Sequence, residues 1–151
     1  MIYTLIQLLI ISIGATTVMT WFSYTMSKSF KELYKEPVLL AYATEKMKIR
    51  PAAHFQKSLG WMLHYLIGLF FVIGYYILWT KNIVPISIIG TLSLGVISGL
   101  IGVLSWIIIF RITHHQPQID FRGYYIQLFF AHVIFAAVAS VLFSIIYSFN
   151  G

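Results

Sequence analysis

Four long stretches of apolar residues dominate the chain, and more polar segments separate them. The stretches run over about residues 3–26, 58–80, 83–110 and 124–147. Each reaches the length of about 20 residues that a helix needs to cross a bilayer. Such segments must be helical, because the bilayer core offers no water to the backbone polar groups. The pattern predicts an all-α fold, an integral membrane four-helix bundle that forms a single domain over residues 1–151.

The composition agrees with a membrane protein. Hydrophobic residues make up 60% of the chain and charged residues only 9%, against about 25% charged residues in an average soluble domain. The first apolar stretch is long and has no basic segment before it, unlike a cleavable signal peptide. We therefore expect helix 1 to remain in the mature protein.

Lysine and arginine predict the orientation. Nine of the ten lie in the loops 27–57 and 111–123, and only Lys81 lies on the opposite side. Basic loops remain in the cytoplasm, so we expect a multi-pass protein with both loops inside and both termini outside. The net charge of +6 then reflects membrane orientation and does not indicate nucleic-acid binding. Four tryptophans near predicted helix ends fit an aromatic belt: Trp21, Trp61, Trp79 and Trp106.

The loop 27–57 is predicted to contain one or two helices on the inner leaflet. Lys31, Glu32, Lys35 and Glu36 have the spacing of charge pairs on a helix surface, and Pro37 can begin a second helix. Lysines of such a segment would contact anionic lipid headgroups, and the two glutamates would face solvent. The alternative is a solvated helical connector without a lipid role.

Small residues form stripes on two of the predicted membrane helices, which favours close packing of their faces. Helix 3 carries Thr91, Gly95, Ser98, Gly102 and Ser105, and helix 1 carries Ser12, Thr16, Thr20 and Ser23. Similar glycine-to-tryptophan spacing in helices 1 and 3 suggests an internal repeat, from Gly14 to Trp21 and from Gly99 to Trp106. The bundle would then consist of two pseudo-repeated helical hairpins related by an axis along the membrane normal.

Two histidines lie inside predicted spans and are the main candidates for a site. Ionisable groups in membrane spans are rare and usually face the protein interior. His64 shares a helix face with Gly60 and Gly68, and His132 shares one with Ala136. Helices 2 and 4 are diagonal in an up-down-up-down bundle, so the two imidazoles are expected to meet near its centre.

This pair of histidines suggests a b-type haem with two axial imidazoles. His64 and His132 would be the ligands, and the small residues Gly60, Gly68 and Ala136 would leave room for the ring. Two alternatives remain open: each histidine bonds a polar group of a neighbouring helix, or both lie on a proton or ion pathway. The sequence does not determine the cofactor.

A divalent-metal site is a further candidate. His54, His114, His115 and Asp120 combine imidazole and carboxylate groups, which suit such a metal. The alternative is a connector at the level of the lipid headgroups, because no metalloprotease motif is present. The chain contains no cysteine, which excludes thiolate ligands and disulfides.

Three segments together resemble small bacterial four-helix membrane proteins known only as domains of unknown function. They are Gly14 to Thr20, Gly60 to Gly68 with His64 between them, and His132. Those proteins often have glycine four residues after the last histidine, where this chain has Ala136. The resemblance implies a bacterial inner membrane and a role for the two histidines, but it implies no activity.

These observations lead to three hypotheses about function. The first is a non-enzymatic structural or accessory subunit of a homo-oligomer or larger membrane complex, because no catalytic motif is present. The second is a haem-binding electron-transfer module. The third is a small transporter or lipid-handling protein, which requires a cavity that reaches His64 and His132.

Overall fold

The computed structural model of the protein describes residues 2–49, 55–113 and 116–148, and these form five α-helices. The helices are α1 Ile2–Phe30, α2 Glu36–Lys46, α3 Gln56–Thr80, α4 Ile88–Ile112 and α5 Phe121–Ser148. Of these, α1, α3, α4 and α5 are long and apolar enough to cross a membrane. They correspond to the predicted helices 1, 2, 3 and 4, in that order. The described residues contain no β-strand. The predicted all-α fold is confirmed, and the chain is a polytopic membrane protein.

The predicted and observed helix ends differ most at the start of α4. The sequence predicts a helix from about residue 83, but α4 begins at Ile88. Pro85 has no amide hydrogen to donate, and Ser87 is the N-cap. The Ser87 hydroxyl accepts a hydrogen bond from the Gly90 amide at 3.1 Å, which satisfies one of the free amides at the helix start.

The packing order of the four long helices defines where an internal site can form. Helix α3 packs on α1, α1 on α5, and α5 on α4, whereas α3 and α4 are not among the closely packed pairs. This order makes α3 and α5 diagonal, as the bundle arrangement predicts. Between α3 and α4, the Tyr75 hydroxyl donates a hydrogen bond to Ser98 Oγ at 2.7 Å. The α3–α4 seam is therefore the weakest side of the bundle.

Small residues allow the close helix pairs to form. A Cβ atom at Gly95 would lie 2.9 Å from the Val133 Cα, and one at Gly99 would lie 2.8 Å from the Phe129 ring. Both contacts are between α4 and α5. The predicted stripe on α1 is buried at all four positions, Ser12, Thr16, Thr20 and Ser23. The inward small faces are confirmed, except that Thr91 is half-buried and Ser105 is exposed.

Helix α2 packs against α3 instead of standing free of the bundle. Gly60 makes this possible, because a Cβ there would collide with the Pro37 carbonyl and lie 2.9 Å from the Ala41 Cβ. The Gln56 amide donates a hydrogen bond to the Ala41 carbonyl at 2.9 Å. Leu39, on the inner side of α2, is completely buried. The predicted helical segment in this loop is present, and its contact with lipid stays a prediction.

The predicted charge pairs between residues 31 and 36 are wrong, because no helix covers this segment. Helix α1 ends at Phe30, Lys31 adopts a left-handed backbone with φ of 56°, and α2 starts only at Glu36. The prediction that Glu36 faces solvent is also wrong, since only 2% of this residue is exposed.

The predicted aromatic belt is wrong for two of the four tryptophans. Trp79 and Trp106 are 4% and 6% exposed. Trp79 packs on Phe143 at 4.5 Å between ring centroids, and Trp106 packs on Phe110 at 5.0 Å. These indoles belong to the core, whereas Trp21 is 71% exposed.

The structure departs from the pseudo-twofold symmetry that the internal repeat suggests. An exact relation between the two hairpins would make the α3–α4 contact equal to the α1–α5 contact. Helices α1 and α5 pack closely, but α3 and α4 do not. The open seam distinguishes the two halves of the bundle.

Candidate functional site

A cavity of about 180 Å³ lies inside the bundle, and all five helices contribute to its wall. The lining residues are Thr16, Met19, Glu36, Leu40, His64, Ile67, Gly68, Phe71, Gly102, Ser105, Trp106, Ile109, Leu128, His132 and Phe135. Ile67 of α3 and Ser105 of α4 are exposed on the outside of the bundle. The cavity therefore reaches the outer surface along the seam between α3 and α4.

His132 of α5 is held in one orientation by its own helix and by α4. Its Nδ1 lies 2.9 Å from the Leu128 carbonyl oxygen. A carbonyl can only accept, so Nδ1 donates, and the neutral ring keeps its lone pair on Nε2. The ring lies against Gly102, where a Cβ would come within 2.6 Å of Cε1 and 2.8 Å of Nε2. Glycine at position 102 thus makes room for this imidazole.

His64 of α3 bonds to α1. Its Nε2 lies 2.8 Å from Thr20 Oγ1, and the Thr20 hydroxyl donates its proton to the Thr16 carbonyl at 2.6 Å. Because a hydroxyl has a single proton, Nε2 of His64 must be the donor to Thr20. The neutral ring then has its lone pair on Nδ1. The structure thus brings both predicted histidines to one cavity, and each imidazole keeps one nitrogen as an acceptor.

Among the described residues that line the cavity, Glu36 is the only carboxylate. The Ser23 hydroxyl donates to its Oε1 at 2.9 Å, and the Gln127 amide donates to the same oxygen at 3.4 Å. The other oxygen, Oε2, is buried without a hydrogen-bond partner among the described residues. Burial raises the pKa of Glu36 to about 7, and hydrogen bonds from its own backbone amide, Ser23 and Gln127 offset only part of this effect. The carboxyl group therefore changes charge near neutral pH.

Two further buried oxygens near Glu36 have no hydrogen-bond partner in the described structure, the Gln127 Oε1 and the Tyr124 hydroxyl. Buried polar atoms are nearly always hydrogen-bonded. Three such oxygens, on Glu36 of the cavity wall and on two α5 residues near it, indicate an incompletely satisfied polar region.

Only some of the small residues predicted to flank the histidines line the cavity. Gly68 is in the wall, where a Cβ would collide with Thr16 Oγ1. Gly60 is not, because it accommodates α2. Ala136 is completely buried, but it packs against Gly95 of α4. Gly60 and Ala136 are thus not among the residues that line the cavity, and their part in a cofactor site stays a prediction.

The predicted metal site is testable only in part. His54, His114 and His115 lie outside the described residues, and within the described ranges no group of three metal-ligating side chains occurs. Asp120 caps the start of α5, where its Oδ1 accepts a hydrogen bond from the Arg122 amide at 3.2 Å. Its own amide donates to Glu32 Oε2 at 3.3 Å. These contacts account for Asp120 without a metal, and the metal site stays a prediction.

Glu36 was not predicted as a site residue, although the sequence around it contains a signal. Glu36, Leu39, Leu40 and Ala43 have the spacing i, i+3, i+4, i+7 of one helix face, and all four are buried. This spacing places Glu36 on the apolar side of α2. Ser23 and Gln127, which bond Glu36, have no comparable signal.

Comparison with known proteins adds no assignment. No family model, no curated protein and no solved structure matches this chain. The geometry of the cavity is accordingly the basis for its functional interpretation: a largely apolar chamber in a membrane bundle, with two imidazoles and one buried carboxyl in its wall.

Proposed function

We propose that the protein binds a small apolar or amphiphilic molecule taken from the bilayer, as a transporter or lipid-handling protein. The observation that carries this proposal is the cavity, which reaches the outside of the bundle between α3 and α4 at Ile67 and Ser105. In a membrane this opening faces lipid. A lipid-soluble molecule can therefore enter sideways without crossing the headgroup region.

The chemistry of the wall supports this proposal. Ligand sites are mostly apolar with a few polar groups that orient the ligand, and here Glu36, His64 and His132 supply those groups within a wall of aliphatic and aromatic residues. A purely structural bundle would be expected to close such a space, because protein interiors pack as densely as organic crystals.

Blocking the mouth of the cavity tests the proposal. Ser105→Trp places a large side chain at the opening, whereas Leu104→Trp places the same side chain next to it on the lipid-facing surface, where Leu104 is 58% exposed. Both variants and the wild type would be purified from membranes in a mild detergent, and organic extracts would be compared by mass spectrometry. We expect a molecule that is enriched in wild type and Leu104→Trp and depleted in Ser105→Trp. Equal extracts from all three proteins would contradict the proposal.

A b-type haem is the second candidate ligand: the orientation of His132 favours it, but the cavity of about 180 Å³ would have to widen to hold a porphyrin. A histidine that donates from Nδ1 to a backbone carbonyl presents a fixed, more basic Nε2 to a metal. His64 lies on the diagonal helix and lines the same cavity, although its Nε2 bonds Thr20. His64 would have to release Thr20 to become the second axial ligand. A bound haem would supply one-electron transfer.

Absorption spectra decide between the two ligand classes. The protein would be expressed with haem available, purified, and measured before and after dithionite. A haem protein would show a Soret band and sharp reduced bands that are lost in His132→Ala. A colourless wild type would eliminate the haem candidate and leave the lipid-derived ligand.

The accessory-subunit hypothesis stays a prediction. Large apolar side chains are exposed on each of the four spanning helices, but lipid covers such residues in any membrane protein. Cross-linking in native membranes would test it, and a solely monomeric species would count against it.

A further inference from the structure

We propose that the ligand of the cavity is a lipophilic amine, with its protonated nitrogen next to Glu36 and its apolar body between α3 and α4. This inference rests on the proposed function, because it names the class of molecule that the same cavity takes.

The charge of the residues that line the cavity favours a cationic ligand. Within the described ranges, Glu36 is the one charged group that lines the cavity, and the lining includes no lysine or arginine. A buried carboxylate is costly unless an opposite charge or several donors compensate it, and Glu36 Oε2 has no partner in the described part of the chain. An ammonium group next to Glu36 would supply the missing charge. An anionic ligand would instead be repelled.

The hydrogen-bonding groups in and near the cavity favour a ligand that donates hydrogen bonds. The free lone pairs of His64 and His132 accept hydrogen bonds, and Gln127 Oε1, behind Glu36, is also an unpartnered acceptor. Against these acceptors stand two unpartnered hydroxyls among the described residues, that of Thr16 in the cavity wall and that of Tyr124 near Glu36. A protonated primary amine has three donors and no acceptor. It matches this surplus better than an alcohol or a carboxylic acid does.

The remaining lining residues are apolar and favour a ligand with an apolar body. Phe71, Phe135 and Trp106 surround the space, with Met19 on the α1 side. Aromatic faces attract cations as well as apolar groups. A volume of about 180 Å³ suits a small aromatic or short aliphatic amine more than a bare ion.

The groups that face Glu36 predict how binding depends on pH. Tyr24 of α1 and Tyr124 of α5 are its phenolic neighbours, and phenols carry no charge near neutral pH. His64 of α3 and His132 of α5 share the cavity, and the described lining residues of α4 include no titratable group. On the α2 side, the Lys35 ammonium lies 5.0 Å from the centre of the Tyr24 ring.

Because burial raises the pKa of Glu36 to about 7, the carboxylate needed for amine binding is lost at lower pH. Amine affinity should therefore fall as the pH drops below 7, approaching about tenfold per pH unit.

Three probes of similar shape test the proposal: 2-phenylethylamine, 2-phenylethanol and phenylacetate. Binding would be measured by calorimetry on the full chain in nanodiscs of zwitterionic phosphatidylcholine, with empty nanodiscs as the blank. We expect the wild type at pH 8 to bind the amine at least tenfold more tightly than the alcohol and the acid. Glu36→Gln should lose this preference. Glu45→Gln removes an exposed carboxylate from the same helix and should retain it.

Several results would overturn the proposal: equal affinity for amine and alcohol, tighter binding of the acid, no binding of the amine, or unchanged amine affinity in Glu36→Gln. If Glu36→Gln does not fold, the wild type at pH 6 and pH 8 is sufficient, because only the amine should lose affinity at pH 6. The wild type could also bind the alcohol as tightly as the amine, and Ser105→Trp could abolish this binding. That result would disprove this inference and leave the proposed function intact. A bundle whose extracts contain no ligand and that binds none of the probes would disprove both.

Discussion

The three described glutamates show how far the environment changes the meaning of one residue type. Glu45 is exposed and Glu32 is partly exposed, whereas Glu36 is buried between α1, α2 and α5 with one oxygen unpartnered. All three occur in the same lysine-rich segment of the sequence. Their surroundings in the folded chain, and not their type or local charge pattern, separate one candidate site residue from two surface carboxylates.

Burial of Glu36 should make the stability of the protein depend on pH. Its pKa is raised by burial from 4.5 to about 7, so its stabilising contribution is complete below pH 4.5 and is lost as the pH rises through 7. The ionisation of buried Glu36 lowers the free energy of unfolding by about 3 kcal/mol at pH 8. The thermal denaturation midpoint of Glu36→Gln should therefore exceed that of the wild type at pH 8 and approach it at pH 5. Glu45→Gln should follow the wild type, and a constant difference between Glu36→Gln and wild type across this range would contradict the interpretation.

The bond between Thr20 and His64 should contribute measurably to stability. Thr20→Val keeps the shape of the side chain but leaves the buried Nε2 hydrogen of His64 without its acceptor, at a cost of about 1–3 kcal/mol. Thr25→Val is the matched control, because Thr25 bonds the Trp21 carbonyl in the same way but is exposed. Thermal denaturation should show a lower midpoint for Thr20→Val alone. Equal midpoints for the two variants would show that the His64 bond has no net stabilising effect.

The site was predictable from sequence where a polar residue interrupts an apolar span. His64 and His132 meet that condition, and the structure brings both to one cavity. Gly68 is in the wall as well, but Gly60 and Ala136, at the same helical spacing from the histidines, face other helices. Helical spacing predicts which residues share a face. It does not predict which neighbour covers each turn of that face.

Among the elements, α2 is the one that hydropathy located least well. The four spans are apolar over 25 to 29 residues, and their helical character follows from the bilayer. In contrast, α2 has 11 residues and is too short to be stable alone. Its start at Glu36 depends on the turn at Lys31 and on packing against α3, which local sequence does not specify.

Gly60 should control the docking of α2. Gly60→Leu would collide with the Pro37 carbonyl and displace α2, whereas Gly74→Leu, on the same helix, meets no atom within 4 Å at its Cβ position. The chain has no cysteine, so Ala43→Cys, at a position that is 3% exposed, provides a unique reporter. Maleimide should label this cysteine faster in Gly60→Leu than in Gly74→Leu or in the parent. Equal labelling rates would show that α2 tolerates the side chain.

At the scale of the whole molecule, the charge distribution predicts which side of the bundle faces the cytoplasm. Four spans place both termini on the same side. Single cysteines at Lys48 and Ser148, each in an otherwise cysteine-free chain, would test the orientation with a membrane-impermeant maleimide. We expect Ser148→Cys to react in intact cells and Lys48→Cys only after the membrane is opened. The opposite pattern would reverse the topology and place α2 and Glu36 outside.

Hydropathy and charge along the chain were sufficient to predict four membrane helices and the two histidines inside them, because the bilayer imposes these features on each segment separately. The diagonal placement of α3 and α5 followed from the up-down-up-down order of the helices. The open α3–α4 seam, the burial of Glu36 and the separation of Gly68 from Gly60 and Ala136 appeared only in the folded bundle. These features arise where residues distant in sequence pack together. Glycines at 60, 68, 95 and 102 allow specific neighbours to approach, and the identity of those neighbours depends on how the five helices are arranged around one another.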